Sequence, residues 1–319
     1  MPRLKVLVLS LATLSAFAYA ENANPARPGT LNYVEGQVTI EGRQLTSSSV
    51  GNTELQPGQS VSTENGKAEL LLTPGVFLRL GGDTTVEMVS PDLTHTEMKL
   101  VQGRADVEVD QIYHQNLILM DMPNGQAQLL KMGLYAFDAD DSTARVFDGE
   151  MDVFRGEDLQ ANVKPITVKG GHQLALTGEP VKPQSFNKDE AKDDLYNWSR
   201  LRSQYLGEAN VDLAQKYAGY SAFYPGWYWA GWPYGYTWLP ADGLFRSPFG
   251  YGFYSPYYIY GGGSVYGLHG GPGFHPYTGG YRGDVHPGFV GGGFHGSTFG
   301  GGFPGAGGFH GGGGFHGGR

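Results

Sequence analysis

The chain has 319 residues, a formal net charge of -9 and no cysteine. The absence of cysteine excludes disulfides, thiol catalysis, thiolate zinc sites and a lipid anchor on an N-terminal cysteine. The 52 glycines are concentrated late in the chain, so only about the first two thirds of it have the composition of a globular protein.

The charge is distributed unevenly. Residues 1–20 carry +2 and residues 221–319 carry +1, which leaves -12 on residues 21–220. A region this acidic repels phosphate groups, so nucleic acid is not an expected partner.

Residues 1–20 have the pattern of a secretory signal peptide. Arg3 and Lys5 form a basic start, Val6 to Ala16 form a short apolar run, and Ala18-Tyr19-Ala20 is a small-x-small cleavage site. The apolar run is shorter than the roughly 20 residues that a spanning helix needs. We therefore expect cleavage after Ala20, a periplasmic or secreted protein, and no transmembrane segment after signal removal.

Residues 29–182 are predicted to form an all-β core, either an antiparallel roll or sandwich or a short irregular β-solenoid. Ala68–Leu72 and Val76–Leu80 read as strands joined by the turn Thr73-Pro74-Gly75. The alternation Val107-Glu108-Val109 places apolar residues on one side, which is typical of a sheet with one buried face.

A short pattern built around a glycine recurs in this region. The three copies are Val34-Glu35-Gly36-Gln37-Val38-Thr39-Ile40, Val101-Gln102-Gly103-Arg104-Ala105-Asp106-Val107 and Phe147-Asp148-Gly149-Glu150-Met151-Asp152-Val153. Val168-Lys169-Gly170-Gly171 is a fainter copy. We expect each glycine to end a turn or bulge at the point where a strand begins.

Residues 187–218 are predicted to be helical. Asn187 is the expected N-cap of one amphipathic helix, and Gly207 its expected stop. A second short helix over Val211–Tyr217, capped by Asn210, is expected to follow. The helix either folds onto the β domain to cover an edge or an apolar face, or binds a partner.

Residues 219–260 are rich in tyrosine, tryptophan and proline. Four rings occupy alternate positions: Trp232, Tyr234, Tyr236 and Trp238. The alternation predicts an extended segment with the rings on one face. It indicates either a short hairpin packed on the rest of the protein or a platform that stacks on sugars.

Residues 261–319 form a Gly/His/Phe low-complexity tail, which we expect to be disordered. The candidate metal ligands are the six histidines of this tail: His269, His275, His286, His295, His310 and His316. They favour weak, unselective metal binding, or they belong to Phe-His-Gly units that associate weakly with the tail itself or with envelope polymers. No cofactor is expected.

The β region resembles the FecR-type domain, an extracytoplasmic module of bacterial envelope regulators. The matching features are Gln37-Val38-Thr39-Ile40 after Gly29, the run Leu55–Thr63, the run Asn65–Leu70, the strand Phe77–Leu80, and the glycine turns at Gly103 and Gly149. The resemblance implies an all-β module that senses a ligand or partner. The namesake regulators place an anti-sigma segment and a membrane helix before this domain, so direct control of a sigma factor is not expected here.

No residue pattern points to catalysis. His95, His114 and His172 are widely spaced and lack a nucleophile elbow or an HExxH motif. Asp138, Asp140 and Asp141 read as a solvated turn, because the segment lacks the glycine and distal glutamate of a calcium loop.

The sequence therefore favours a non-catalytic binding or sensing module of the cell envelope, with a protein or polysaccharide partner that it does not identify. A structural or matrix-associated envelope protein, which self-associates weakly through its tail, is the alternative. An envelope carbohydrate-active enzyme has the least support.

Overall fold

The computed structural model describes residues 26–156, 164–179, 182–220 and 223–260. The predicted signal peptide and the predicted Gly/His/Phe tail lie outside these residues.

Seventeen strands precede the long helix in the described residues. In chain order they are β1 (Leu31–Glu35), β2 (Val38–Ile40), β3 (Arg43–Gln44), β4 (Ser60–Thr63), β5 (Lys67–Leu71), β6 (Val76–Leu80), β7 (Thr85–Pro91), β8 (His95–Gln102), β9 (Arg104–Val109), β10 (Leu117–Met122), β11 (Gly125–Leu129), β12 (Gly133–Asp138), β13 (Thr143–Asp148), β14 (Glu150–Arg155), β15 (Ile166–Lys169), β16 (His172–Ala175) and β17 (Gln184–Ser185). The predicted all-β core is confirmed, and the hairpin of β5 and β6 has its turn at the predicted residues.

The strands form two sheets. One has the order β1-β5-β6-β9-β12-β13-β16-β17 and is called the covered sheet below, because other elements pack on its outer face. The other has the order β15-β14-β11-β10-β8-β7-β4-β2-β3 and is called the open sheet. Their inner faces share one apolar core, which includes Leu70, Val107, Met98 and Val153. The core is therefore that of a β-sandwich.

The chain alternates between the two sheets as it advances, and the repeated glycine motif marks the crossings. Gly36 separates β1 of the covered sheet from β2 of the open sheet, Gly103 separates β8 from β9, and Gly149 separates β13 from β14. Gly103 has φ +79°, and a Cβ there would lie 2.5 Å from the carbonyl oxygen of Asp83. A side chain is therefore excluded at this crossing on two counts.

Nearly every strand pairing is antiparallel, but β8 and β10 run parallel, with Leu117 opposite His95 and Met120 opposite Met98. The exception arises because β9, which connects them, lies in the covered sheet. The chain thus crosses the core twice and returns to the open sheet in its original direction. This local geometry has the character of a solenoid turn within a sandwich.

After β17 the chain forms one continuous helix, α1 (Asp194–Tyr217). The predicted N-cap at Asn187 is wrong. The helix begins at Asp194 because Asp193 caps it, its carboxylate accepting a hydrogen bond of 2.8 Å from the backbone N–H of Tyr196. The side chain of Asp193 is also held by Arg104 of β9.

The predicted stop at Gly207 and the predicted second helix are also wrong, because α1 continues through both. Gly207 lies at a close approach, where an added Cβ would be 3.2 Å from the Cβ of Tyr251. Asn210 is a buried bridge instead of an N-cap. Its amide donates to the carbonyl of Trp238 at 2.8 Å and accepts from the N–H of Tyr254 at 2.7 Å.

The aromatic segment completes the fold. It contains β18 (Gly226–Trp229), β19 (Tyr236–Leu239), β20 (Leu244–Arg246), β21 (Gly252–Tyr254) and a short helix, α2 (Pro256–Tyr260). The predicted hairpin is present as β18 paired with β19. The four alternating rings do not share one strand, because Trp232 and Tyr234 lie in the connection between the two strands.

The rings of this segment, together with those of the covered sheet, build a second apolar cluster outside the sandwich. Its buried members are Leu71, Phe77, Leu206, Tyr236, Trp238 and Phe253. The covered sheet, α1 and the aromatic segment are therefore one packed unit. In the described part of the chain, no helix combines the length and apolarity needed to cross a membrane.

Candidate functional site

The outer face of the covered sheet carries a row of buried charges. Arg79 of β6 lies between two carboxylates: its Nε donates to Glu69 at 2.7 Å, and its Nη1 donates to Glu108. All three side chains are fully buried. Arg202 of α1 adds a second cation, its Nη2 donating to Glu69 at 2.8 Å. Two carboxylates thus face two guanidinium groups with no access to water.

Two serines of α1 complete this contact. Ser199 donates to Asp106 at 2.8 Å, and Ser203 donates to Glu108 at 2.6 Å. Positions 199 and 203 are one helical turn apart and face the sheet together with Arg202. We call these seven residues the polar seam: Glu69, Arg79, Asp106, Glu108, Ser199, Arg202 and Ser203.

The ion pairs of the seam favour the charged forms of both partners. Burial raises the pKa of Glu69, but the positive charges of Arg202 and Arg79 outweigh it and bring the pKa below its usual range. Glu69 is therefore an ion at neutral pH. Burial alone would lower the pKa of Arg79, but the charges of Glu108 and, to a smaller extent, Glu69 outweigh it and raise that pKa.

Burial dominates the pKa values of Asp106 and Asp110, because neither carboxyl forms an ion pair among the described residues and the charge of Arg79 lowers their pKa values only in part. Burial raises the pKa of Asp106 to about 7, and the hydrogen bond from Ser199 lowers it only in part. Burial also raises the pKa of Asp110 well above its usual range, and the neighbouring charge of Glu108 raises it further. No donor among the described residues reaches either oxygen of Asp110. A neutral acid fits that surrounding, because a carboxylate there would lose its hydration without replacement.

An aromatic stack lies at the solvent edge of the seam. The guanidinium carbon of Arg202 is 4.1 Å from the ring centroid of Tyr33. On Tyr33 lies the indole of Trp232, with 5.5 Å between ring centroids and 2° between ring planes. Arg202, Tyr33 and Trp232 thus form three layers, which we call the aromatic stack. Trp232 is 52% exposed, so the last layer faces solvent.

A second group of rings, partly or fully exposed, lies where α1 ends. Tyr217 is 4.9 Å from Tyr228 and 5.7 Å from Tyr220, and Phe223 stacks on Tyr228 at 5.6 Å. Tyr224 beside them is 80% exposed. We call this group the tyrosine cluster. The four alternating rings predicted to share one face are separated in the fold: Trp232 joins the aromatic stack, Tyr234 packs against Tyr205, and Tyr236 and Trp238 are buried in the second apolar cluster.

The open sheet carries a separate polar cluster on its outer face. Gln126 donates to Asp121 at 2.7 Å and to Glu97 at 3.3 Å, and His95 contacts Glu97 at 2.9 Å. Burial raises the pKa of Asp121 to about 6, against the hydrogen bond from Gln126, and the charge of Glu97 raises it further. Among the described residues, no group of three or more His, Cys, Asp or Glu side chains has the geometry to hold a metal ion.

The other residues singled out from the sequence do not converge. His114 is exposed before β10, and His172 lies on β16 with its Nδ1 3.2 Å from the carbonyl of Gly170. Asp138 accepts a hydrogen bond from the N–H of Asp141, and Asp140 accepts one from Gly103. These aspartates therefore shape the turn between β12 and β13. The six tail histidines lie outside the described residues.

A shallow cavity of about 320 Å³ lies between β13, β16 and the turn before α1. Its lining residues are Arg145, Gln173, Phe186, Asn187, Glu190, Ala191 and Asp193. Arg145 and Gln173 bond to each other at 2.6 Å, as do Asn187 and Glu190 at 2.7 Å. These pairs satisfy much of the polar lining.

Fold and site together define a two-sheet β protein with a helix-covered polar seam and an exposed aromatic stack. No family model matches the chain, and no curated protein matches it. Two crystal structures, at 2.50 and 1.65 Å resolution, of a protein from Parabacteroides distasonis named as a "putative anti-sigma factor" are similar to part of it. In both, the TM-score is 0.35 and the identity is 13%, and the match covers 42% of this chain. The chain spans 62% of that protein's length, which is less than two thirds.

Proposed function

We propose that this protein is a non-catalytic binding or sensing module of the bacterial cell envelope, exported by its N-terminal segment and built on a FecR-type domain. The single observation that carries the proposal is the aromatic stack. An indole that is held parallel to a tyrosine ring and is 52% exposed is a preformed contact surface, because folding has already restricted its conformation.

The position of the stack supports a sensing role. Tyr33 belongs to the first strand of the covered sheet, and Arg202 belongs to α1 and also bonds to Glu69 of the polar seam. Only Tyr33 and Arg202 therefore separate Trp232, the ring that a partner would contact, from the buried charge of Glu69. Binding at the surface and the docking of α1 on the sheet are thereby coupled through one guanidinium.

The resemblance of the sequence to FecR-type domains supports the assignment to an envelope module. The glycines at positions 36, 103 and 149, two of which carry the likeness to FecR-type domains, coincide with crossings between the sheets. The signal-peptide pattern of residues 1–20 supports export.

The test uses the full chain expressed in a bacterial host, with a photo-crosslinking amino acid at position 232 or, as a matched control, at position 87 of the open sheet. The proposal expects an exported protein that begins at Glu21, and crosslinks to an envelope component from position 232 alone. Equal crosslinking from both positions, or retention of the chain in the cytoplasm, would contradict it.

A truncation after Tyr260 separates this proposal from a matrix role of the tail. A cut at residue 219, where the aromatic segment begins, would remove Trp238 and Phe253 from the second apolar cluster. Removing residues 261–319 leaves every contact described above in place. Crosslinking from position 232 should persist without the tail, whereas loss of envelope association would favour the tail as the active part.

A further inference from the structure

The aromatic stack has one occupied end and one open end. At the occupied end, the guanidinium of Arg202 lies over one face of Tyr33 at 4.1 Å. At the open end, the indole of Trp232 is parallel to Tyr33 and 52% exposed. The protein thus already shows how a guanidinium binds this set of rings, and it leaves the ring with the strongest cation-π face uncovered.

Carboxylates lie near Tyr33 and near Tyr234, which follows Trp232 by two residues. Glu35 is close enough to Tyr33, and Glu208 and Asp212 are close enough to Tyr234, for their charges to raise the pKa of those phenols after burial has done so. All three carboxylates are exposed, and no lysine or arginine in the described part of the chain forms an ion pair with them.

Arg202 forms no ion pair with these acids, because its Nη2 is bound to Glu69 and its Nε is buried without an acceptor among the described residues. One Nη2–H bonds to Glu69 at 2.8 Å, and Nη2 also donates to the carbonyl of Tyr234 at 2.8 Å. Nη1 faces the carbonyl of Pro233 at 3.4 Å. Three exposed carboxylates without an ion-paired cation among the described residues therefore lie near Tyr33, on which Trp232 stacks, and near Tyr234, two residues after Trp232.

We propose that the open face of Trp232 binds the guanidinium of an arginine in a basic segment of a partner protein, with Glu35, Glu208 and Asp212 supplying the complementary charge. This inference rests on the proposed function and names the chemistry of its partner. A planar guanidinium stacks on the indole as Arg202 stacks on Tyr33, whereas a lysine ammonium offers no flat face. Phosphate-bearing partners are repelled by the same carboxylates.

The test measures binding of short peptides to the full chain by calorimetry. The probes are Gly/Ser peptides that contain two arginines, two lysines or two citrullines, since citrulline keeps the shape of arginine without its charge. We expect the arginine peptide to bind about tenfold more tightly than the citrulline peptide, and to weaken as salt rises toward 0.5 M.

Three variants locate the site. Trp232→Ala should weaken arginine-peptide binding about tenfold, and the double variant Glu208→Gln/Asp212→Asn should weaken it severalfold and flatten its salt dependence. The control is Tyr224→Ala, which removes an 80% exposed ring from the tyrosine cluster and should leave binding unchanged. Because Trp232 and both acids are exposed, circular dichroism should show an unaltered fold in each variant.

The outcomes separate the two proposals. Equal binding of arginine and citrulline peptides, no binding of any peptide at millimolar concentration, or full binding by Trp232→Ala would overturn the arginine assignment. If an uncharged chito-oligosaccharide binds in a salt-independent manner that needs Trp232, the partner is a glycan, and the binding function itself stands. If crosslinking in cells does not depend on position 232, the proposed function fails as well.

Discussion

The outer faces of the two sheets carry similar side chains in very different surroundings. On the covered sheet, Glu69 and Glu108 are fully buried, and α1 supplies the groups that bond to them. On the open sheet, Asp121 bonds to Gln126, Glu97 bonds to His95 and Gln126, and water reaches both carboxylates. The same alternation of apolar and polar residues therefore gives a buried, ion-paired outer face on one sheet and a solvated outer face on the other.

The two faces differ in how much folding free energy is lost when the partner of a polar residue is removed. A buried charge without its counterion loses hydration that nothing replaces, whereas a solvated charge regains water. We therefore expect matched substitutions to have large effects on the covered sheet and small effects on the open sheet.

The largest effect should come from Arg79→Met. The substitution leaves Glu69 with one guanidinium and Glu108 with none, so it should lower the free energy of unfolding by about 3–5 kcal/mol. The matched control is Lys99→Met on the open sheet, which should stay within about 0.5 kcal/mol. Chemical denaturation of both variants checks the pair. Similar losses in the two variants would mean that the faces are energetically alike.

The next effect is a pH dependence that Asp106 controls. The pKa of Asp106 is about 7 in the folded protein and lies near 3.8 in a free side chain. The folded state therefore holds this proton more tightly, and its stabilising contribution is complete below about pH 4 and lost as pH rises to about 7. The free energy of unfolding should fall over this window by at most about 4 kcal/mol on account of this group.

Asp106→Asn should remove that part of the slope. The difference in unfolding free energy between the variant and the native protein, measured at half-unit steps from pH 4 to pH 8, isolates the contribution of this residue. Asp121→Asn on the open sheet is the control, and it should change the slope much less because solvent screens that group. An unchanged slope in Asp106→Asn would show that the acid is solvated in solution.

The smallest effect compares two serines. Ser203→Ala leaves an oxygen of buried Glu108 without its donor and should cost about 1–3 kcal/mol. Ser62 on the open sheet contacts only the hydroxyl of Thr85, at 3.0 Å, so Ser62→Ala should cost less than about 0.5 kcal/mol. Thermal unfolding of both variants measures the two losses of stability and compares them. A larger loss in Ser62→Ala would reverse the comparison.

The strands and their turns could be predicted from local patterns. The hairpin of β5 and β6 follows from two apolar runs and a Pro-Gly turn, and the glycine motif predicted where strands begin. That these glycines carry the chain between sheets could not be predicted, because a single φ angle does not say which sheet the next strand joins.

The polar seam was not predicted from the sequence, because alternation of apolar and polar residues predicts one buried face and one solvated face. Val107-Glu108-Val109 gave no sign that Glu108 is also buried, since its partner Ser203 is 95 residues away. The predicted end of the helix was wrong for a related reason. Gly207 looks like a stop in isolation, and only the approach of Tyr251 shows why a glycine lies within α1.

Asn32 of the first strand accepts from the backbone N–H of Tyr236 at 2.6 Å and donates to Glu69 at 2.8 Å. The first of these contacts joins residues 204 positions apart. During synthesis, β1 emerges long before the residue that completes its hydrogen bonds. Contacts with so large a sequence separation form late and slow the search for the native state. The nascent chain must therefore stay incompletely folded until nearly 240 residues have been made, which lengthens the interval in which chaperones can engage it.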